Sequence, residues 1–178
     1  MKINLAFILS ILMGSHSFAC SCEGFESVHE AYHASDVVFS GEVVRMTFVA
    51  TSESMNPNVL DSLRRTGESE SRARELLDAE FLIKVELKIN RCFKGNSLQD
   101  TVTIYTTRTG ASCGYRGFMV GSNYIVYATR TSYLFDMLFR IPSENSSREG
   151  TYWTNQCMRT QEYTYAETVE LEKCMKNE

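Results

Sequence analysis

All six cysteines of this 178-residue chain lie beyond residue 19, and the first two are one residue apart, as Cys20-Ser21-Cys22. What precedes them reads as an export signal. Lys2 gives a positive start, an apolar run extends from Ile3 to Met13, and Ser17-Phe18-Ala19 puts small residues at the −3 and −1 positions of a cleavage site. The run is shorter than the roughly 20 residues that span a bilayer, and no later segment comes closer. Residues 1–19 are therefore expected to be removed, leaving a secreted or periplasmic protein that begins at Cys20. A lipid anchor on Cys20 is the lesser alternative, because Ser17 stands where lipid-attachment boxes carry an aliphatic residue. An even number of cysteines in an exported chain implies three disulfides, with their connectivity left open by spacing alone. A direct Cys20–Cys22 bond would close a very small strained ring, so each is expected to reach a distant partner.

The patterning after Cys22 is mainly that of strands. Phe81, Ile83, Val85, Leu87 and Ile89 alternate with Leu82, Lys84, Glu86, Lys88 and Asn90, as a half-buried strand requires. Val37–Val44 reads as another strand, with Gly41 as a bend or bulge. Thr101–Thr107, Tyr124–Arg130, Tyr133–Arg140 and Thr151–Cys157 read as further strands. Phe25, Val28 and Tyr32 recur at helical spacing and predict a short helix over 25–34. Thr164 with Glu167 forms a capping-box pattern ahead of a terminal helix over 165–176. Residues 50–79, rich in Ser, Glu and Arg and carrying Pro57 and Gly67, read as a charged, solvated insertion with helix within 59–77. Such a segment is expected to tolerate shortening. Five or six strands with short connections and a closing helix make residues 20–178 one mainly β domain, a small closed Greek-key barrel.

Charge and motifs narrow the chemistry. Removing Lys2 with the leader leaves 17 of the 18 Lys and Arg against 22 Asp and Glu, with no basic run to suggest a nucleic-acid partner. His29-Glu30-Ala31-Tyr32-His33 is a literal H-E-x-x-H, the pattern that gives a metallopeptidase two zinc ligands and a base. Against that reading, only nine residues separate it from the expected terminus, and no other His follows the leader. Both imidazoles then lie on a solvated helix face. No nucleophile–base pair stands out, so no enzyme and no cofactor are expected. Trp153 reads as core.

Five motifs occur in order: Cys20-Ser21-Cys22, Arg91-Cys92-Phe93-Lys94-Gly95, Ser112-Cys113-Gly114-Tyr115, Gly121-Ser122-Asn123-Tyr124-Ile125-Val126-Tyr127-Ala128, and Thr154-Asn155-Gln156-Cys157. Together they resemble the inhibitory domain of the tissue inhibitors of metalloproteinases, within the netrin-like module family. The resemblance implies a five-stranded OB-type Greek-key barrel with a short N-terminal and a C-terminal helix. It implies disulfides Cys20–Cys113 and Cys22–Cys157, and leaves Cys92 and Cys174 to pair in place of a family bond whose cysteine would fall near His33. It implies a monomer whose partner is a zinc metallopeptidase. The main-chain amine and carbonyl of Cys20 would bind the partner's zinc, Ser21 would enter the pocket beside it, and Thr109, Gly110, Ala111 and Ser112 would form a second contact ridge. The same module also occurs as a docking domain with no zinc chemistry, the alternative expectation.

Overall fold

The computed structural model describes residues 24–66, 75, 77–95, 99–142 and 144–176. Six strands form one sheet: β1 (Val37–Val49), β2 (Leu82–Lys94), β3 (Thr101–Thr107), β4 (Asn123–Ala128), β5 (Thr151–Trp153) and β6 (Gln161–Glu162). Among the described residues, four complete α-helices accompany them: α1 (Val28–Ala34), α2 (Pro57–Thr66), α3 (Tyr133–Phe139) and α4 (Tyr165–Lys176). The sheet is mixed and open, in the order β5-β3-β2-β1-β4-β6. All pairings are antiparallel except that of β3 with β5. The protein is thus mainly sheet, as its alternation predicts, and where a closed barrel is expected the hydrogen-bonded ladder is open, with β5 and β6 at its edges. One isolated antiparallel bridge, Thr129 with Trp153, links the chain just past β4 to β5.

β1 is the organising strand, since it pairs with both β2 and β4. Its register against β2 shifts between Ser40 and Gly41, where the sequence predicts a bulge. A Cβ on Gly41 would sit 2.7 Å from the Lys88 carbonyl oxygen, so the close approach of β2 needs the bare backbone. The period of two sorts β1 and β4 onto two cores. Val37, Phe39, Tyr124, Val126 and Ala128 pack in one cluster with Val85, Leu87, Val102 and Ile104. Val38, Ile125 and Tyr127 face the other way, onto Val28, Ala31 and Tyr32 of α1 and Leu171 of α4. Alternate residues of a strand point to opposite faces, so a single β-rich run builds both cores.

Several segments depart from their sequence reading: β1 runs on to Val49, β5 stops at Trp153 short of the expected Cys157, and β6 is additional. Tyr133–Phe139 is a helix, not a strand. Ser132 caps it by accepting from the Leu134 N–H, and Arg140 closes it in the left-handed conformation. Leu134, Phe135 and Phe139 are buried, and the exposed Met137 lies on the far side. The apolar run Tyr133-Leu134-Phe135 hides this helical spacing from an alternation test. The insertion, in turn, is only partly solvated. A 3-10 turn over Thr51–Ser54 leads into Met55, which is fully buried, and α2 follows over Pro57–Thr66, beginning before the expected 59. Met55 and Leu77 join Val49, Leu82, Tyr105, Leu134, Phe135, Phe139 and Trp153 in a third cluster, with Val59, Leu60 and Leu63 of α2 against it. Trp153 is core, as expected, and its indole N–H donates to Ser147 Oγ at 3.1 Å. Because Met55 has no exposed surface, Met55→Ala should destabilise the fold by about 2–4 kcal/mol, the usual cost of truncating a buried long side chain. Urea denaturation measures this; a change below about 0.5 kcal/mol would restore the solvated-loop reading.

Candidate functional site

Cys20, Ser21 and Cys22 lie outside the described residues; the other expected site residues follow the end of β3. β3 ends at Thr107, and the chain then makes a 3-10 turn over Gly110–Ser112. Hydrogen bonds back to Thr107 hold this turn. Thr107 Oγ1 donates to the Ser112 carbonyl at 2.9 Å, Ser112 Oγ donates to Thr107 Oγ1 at 2.9 Å, and the hydroxyls of Thr109 and Ser112 are 2.6 Å apart. The Tyr133 hydroxyl, from the start of α3, also donates to the Ser112 carbonyl. Burial raises the pKa of that phenol, which keeps it a donor. The four expected ridge residues, Thr109, Gly110, Ala111 and Ser112, therefore form one fixed turn. Their two restraints from outside, Thr107 and Tyr133, carry no local sequence signal that would have singled them out.

Cys113 follows in the left-handed conformation, with φ 57°. Its carbonyl accepts from the Gln156 N–H at 2.8 Å, which lays the segment before Cys157 against the segment around Cys113. Cys157 is steadied in turn, because its N–H donates to Asn155 Oδ1 at 2.8 Å. The described chain starts beside Cys157: a Cβ on Gly24 would stand 4.0 Å from the Cys157 carbonyl oxygen. The next residue is tied to the same place, since Arg159 Nη1 donates to the Phe25 carbonyl at 3.4 Å.

Arg159 is itself anchored. Its Nε and Nη2 donate to the two carboxylate oxygens of Glu167 on α4, at 2.6 and 3.1 Å. The Tyr127 hydroxyl donates to Glu167 Oε1 at 2.7 Å. Burial, with Glu167 beside it, pushes the Tyr127 phenol well up, and the hydrogen bond to Glu167 raises Arg159. Glu167 is buried, and a buried carboxylate persists only when it is paired and hydrogen-bonded in this way. The pairing also explains why the expected capping box of α4 is half made. The Glu167 N–H donates to Thr164 Oγ1 at 3.3 Å, but the carboxylate is turned to Arg159 and Tyr127. A groove of about 360 Å³ runs beside Cys157, lined in part by Phe25, Thr107, Tyr133, Trp153 and Met158.

The expected Cys92–Cys174 bond is not formed. Cys92 is a free thiol, whose Sγ lies 3.4 and 3.2 Å from the carbonyl oxygens of Lys94 and Gly95. The reason is strand alternation. Phe93 packs in the cluster that holds Cys174, and its neighbour Cys92 therefore turns to the other face of β2. Burial raises the Cys92 pKa above that of an ordinary thiol.

The H-E-x-x-H residues fall on α1, as helical spacing predicts. Glu30 is committed to the helix start: its carboxylate accepts from the Ser27 N–H at 3.2 Å, and its own N–H donates to Ser27 Oγ at 3.2 Å. This reciprocal capping box removes it from the place of a general base. Among the described residues, no group of three or more His, Cys, Asp or Glu is placed to hold a metal, and no helix is long and apolar enough to cross a membrane. No family model matches the chain, and no curated protein matches it.

Proposed function

We propose that this chain is an exported, monomeric inhibitor of zinc metalloendopeptidases, with no cofactor of its own, similar to the inhibitory domain of the tissue inhibitors of metalloproteinases. The observation that carries the reading is the gathering of Cys113, Cys157 and Gly24 at one point. Four residues, Cys20 to Glu23, separate the expected terminus from Gly24. Fully extended they reach no more than about 14 Å. Bonds Cys20–Cys113 and Cys22–Cys157 fit that short tether. They would leave Ser21 pointing away from the body, since side chains alternate along an extended segment.

The chemistry follows from the rigidity. A catalytic zinc in the partner keeps one coordination position for water or substrate. The α-amino nitrogen and carbonyl oxygen of Cys20, held by the first bond, would occupy it as a chelate and displace the water. Ser21 would enter the adjoining pocket. The turn of Thr109, Gly110, Ala111 and Ser112, joined directly to Cys113, would supply the second contact. Fixing both ridges before binding lowers the ordering cost of association.

The fold reading belongs to the same proposal. β1 lies between β2 and β4, and β3 pairs in parallel with β5, a connectivity that suits an OB-type arrangement. The Thr129–Trp153 bridge, with N···O distances of 2.9 and 2.7 Å, would be its narrow point of closure. The structural premise is tested by peptide mass mapping of the unreduced mature protein. Cys20 should be found joined to Cys113 and Cys22 to Cys157, with Cys92 open to alkylation. A lipid on Cys20, or either terminal cysteine joined elsewhere, would remove the chelating end and leave the docking-module reading. The functional test is inhibition of zinc endopeptidases by the mature protein.

A further inference from the structure

The capping of Glu30 leaves the two histidine side chains of α1 outside the inhibitor reading, with the His33 ring against the edge of Tyr32. Val28, Ala31 and Tyr32 take the buried side of the helix, and His29 and His33 are both exposed on its outer side. Their Nε2 atoms are 3.1 Å apart, while their ring centroids are 4.3 Å apart. The two nitrogens thus meet at hydrogen-bond distance between rings tilted by 59°. Metal–imidazole bonds of about 2.0–2.1 Å at angles of 90–110° require an N···N separation of about 2.8–3.4 Å. The observed spacing falls within that range without movement of either ring.

The backbone that carries the pair is held at both ends. Ser27 and Glu30 close the first turn. Lys94 Nζ donates to the carbonyls of Tyr32 and His33 at 2.9 and 3.2 Å, and the buried Tyr32 hydroxyl donates to the Phe93 carbonyl at 3.1 Å. A chelating pair on a restrained helix loses little freedom when an ion binds. We propose that His29 and His33 form a surface site for a borderline divalent transition ion, zinc or copper(II), through their Nε2 atoms. Water completes the coordination. The choice of ion follows from the donors, since imidazole nitrogen suits zinc, copper and nickel and not calcium or magnesium. The site has two protein ligands and no free base beside them, so it binds and does not hydrolyse. It is independent of the Cys20 terminus.

The test is equilibrium dialysis of the mature protein against zinc chloride and, separately, copper chloride, after alkylation of accessible thiols so that Cys92 cannot contribute. One ion should bind saturably through these residues. His29→Ala and His33→Ala should each weaken that binding at least tenfold, since losing a direct ligand costs no less than the roughly 10–100-fold seen for supporting residues. His33→Gln, which keeps a polar side chain at the exposed position, should give the same loss. Glu30→Gln should bind as the native protein does. In copper(II) spectra, the native protein should show two nitrogen ligands that the histidine variants lack. Melting curves in chelator should coincide for all four variants and the native protein, separating loss of ligand from loss of fold. Absence of saturable binding, or equal binding in the native and histidine variants, would overturn the assignment and leave the pair a hydrogen-bonded surface contact.

Discussion

Gly114→Ala is expected to lower the melting temperature of the mature protein by about 6–12 °C, from a destabilisation of about 3 kcal/mol in a domain of this size. The cause is steric and local. A Cβ on Gly114 would lie 1.9 Å from the Thr107 carbonyl oxygen and 2.7 Å from the Thr107 carbonyl carbon, and also 2.6 Å from its Oγ1. Two of those atoms are backbone at the end of β3, where Thr107 pairs with Leu82, so no rotamer change relieves the clash. Either the β3 end or the Cys113–Gly114 segment must move. The second movement would carry Cys113 and the Thr109–Ser112 turn with it. Gly110→Ala is the control, because a Cβ there meets no atom within 4 Å. It should melt within about 2 °C of the native protein, a change of about 0.5 kcal/mol or less, while altering the proposed contact ridge. Thermal denaturation of both variants decides the point. A Gly114→Ala protein as stable as the native one would mean that the turn is not packed against β3.

The long alternating strands were legible because a sheet with two unlike faces writes a period of two into its sequence. β2 from Leu82 and the β3 boundaries follow the pattern, as does α4 at 165–176. Gly41 was legible as a bulge for the same reason, a residue without a side chain inside an otherwise regular run. The failures have physical causes. Tyr133–Phe139 begins with three consecutive large apolar residues, which fit a buried strand or a buried helix equally; the Ser132 cap decides it. β6 has two residues, Gln161 and Glu162, too few for any period. In the insertion, composition averaged over a charged stretch conceals single anchors such as Met55 and Leu77. The open sheet edge and the Thr129–Trp153 bridge depend on distant pairing, to which local pattern is blind.

The site divides in the same way. Cys113 and Cys157 were identifiable by type and order along the chain, and the Thr109–Ser112 turn by its position before Cys113. The Tyr133 hydrogen bond to Ser112 and the Tyr127 hydrogen bond to Glu167 are contacts between residues far apart in sequence. The separation of Cys92 from Cys174 follows from which face of β2 each neighbour takes, and counting cysteines does not reveal it.

Blocking the terminal amine of Cys20 is expected to abolish inhibition altogether. The proposed chelate needs a neutral amine within bonding distance of the partner's zinc. One added residue ahead of Cys20 moves that amine by about 3.8 Å, well beyond the length of a metal–nitrogen bond. Acetylation keeps the nitrogen in place and removes its basic lone pair. Neither change touches the described body of the fold, so melting temperature should stay constant while inhibition is lost. A free α-amino group titrates at about 7.7–8.0. Binding must release a proton below that range, so native inhibition should weaken as pH falls through it, relative to an inhibitor of the same peptidase that carries no terminal amine. The most direct measurement is residual activity of a panel of zinc endopeptidases with the mature, the alanine-extended and the Cys20-acetylated protein at equal concentrations. The account predicts inhibition by the mature form alone; no inhibition by it, or equal inhibition by all three, would contradict zinc chelation through Cys20.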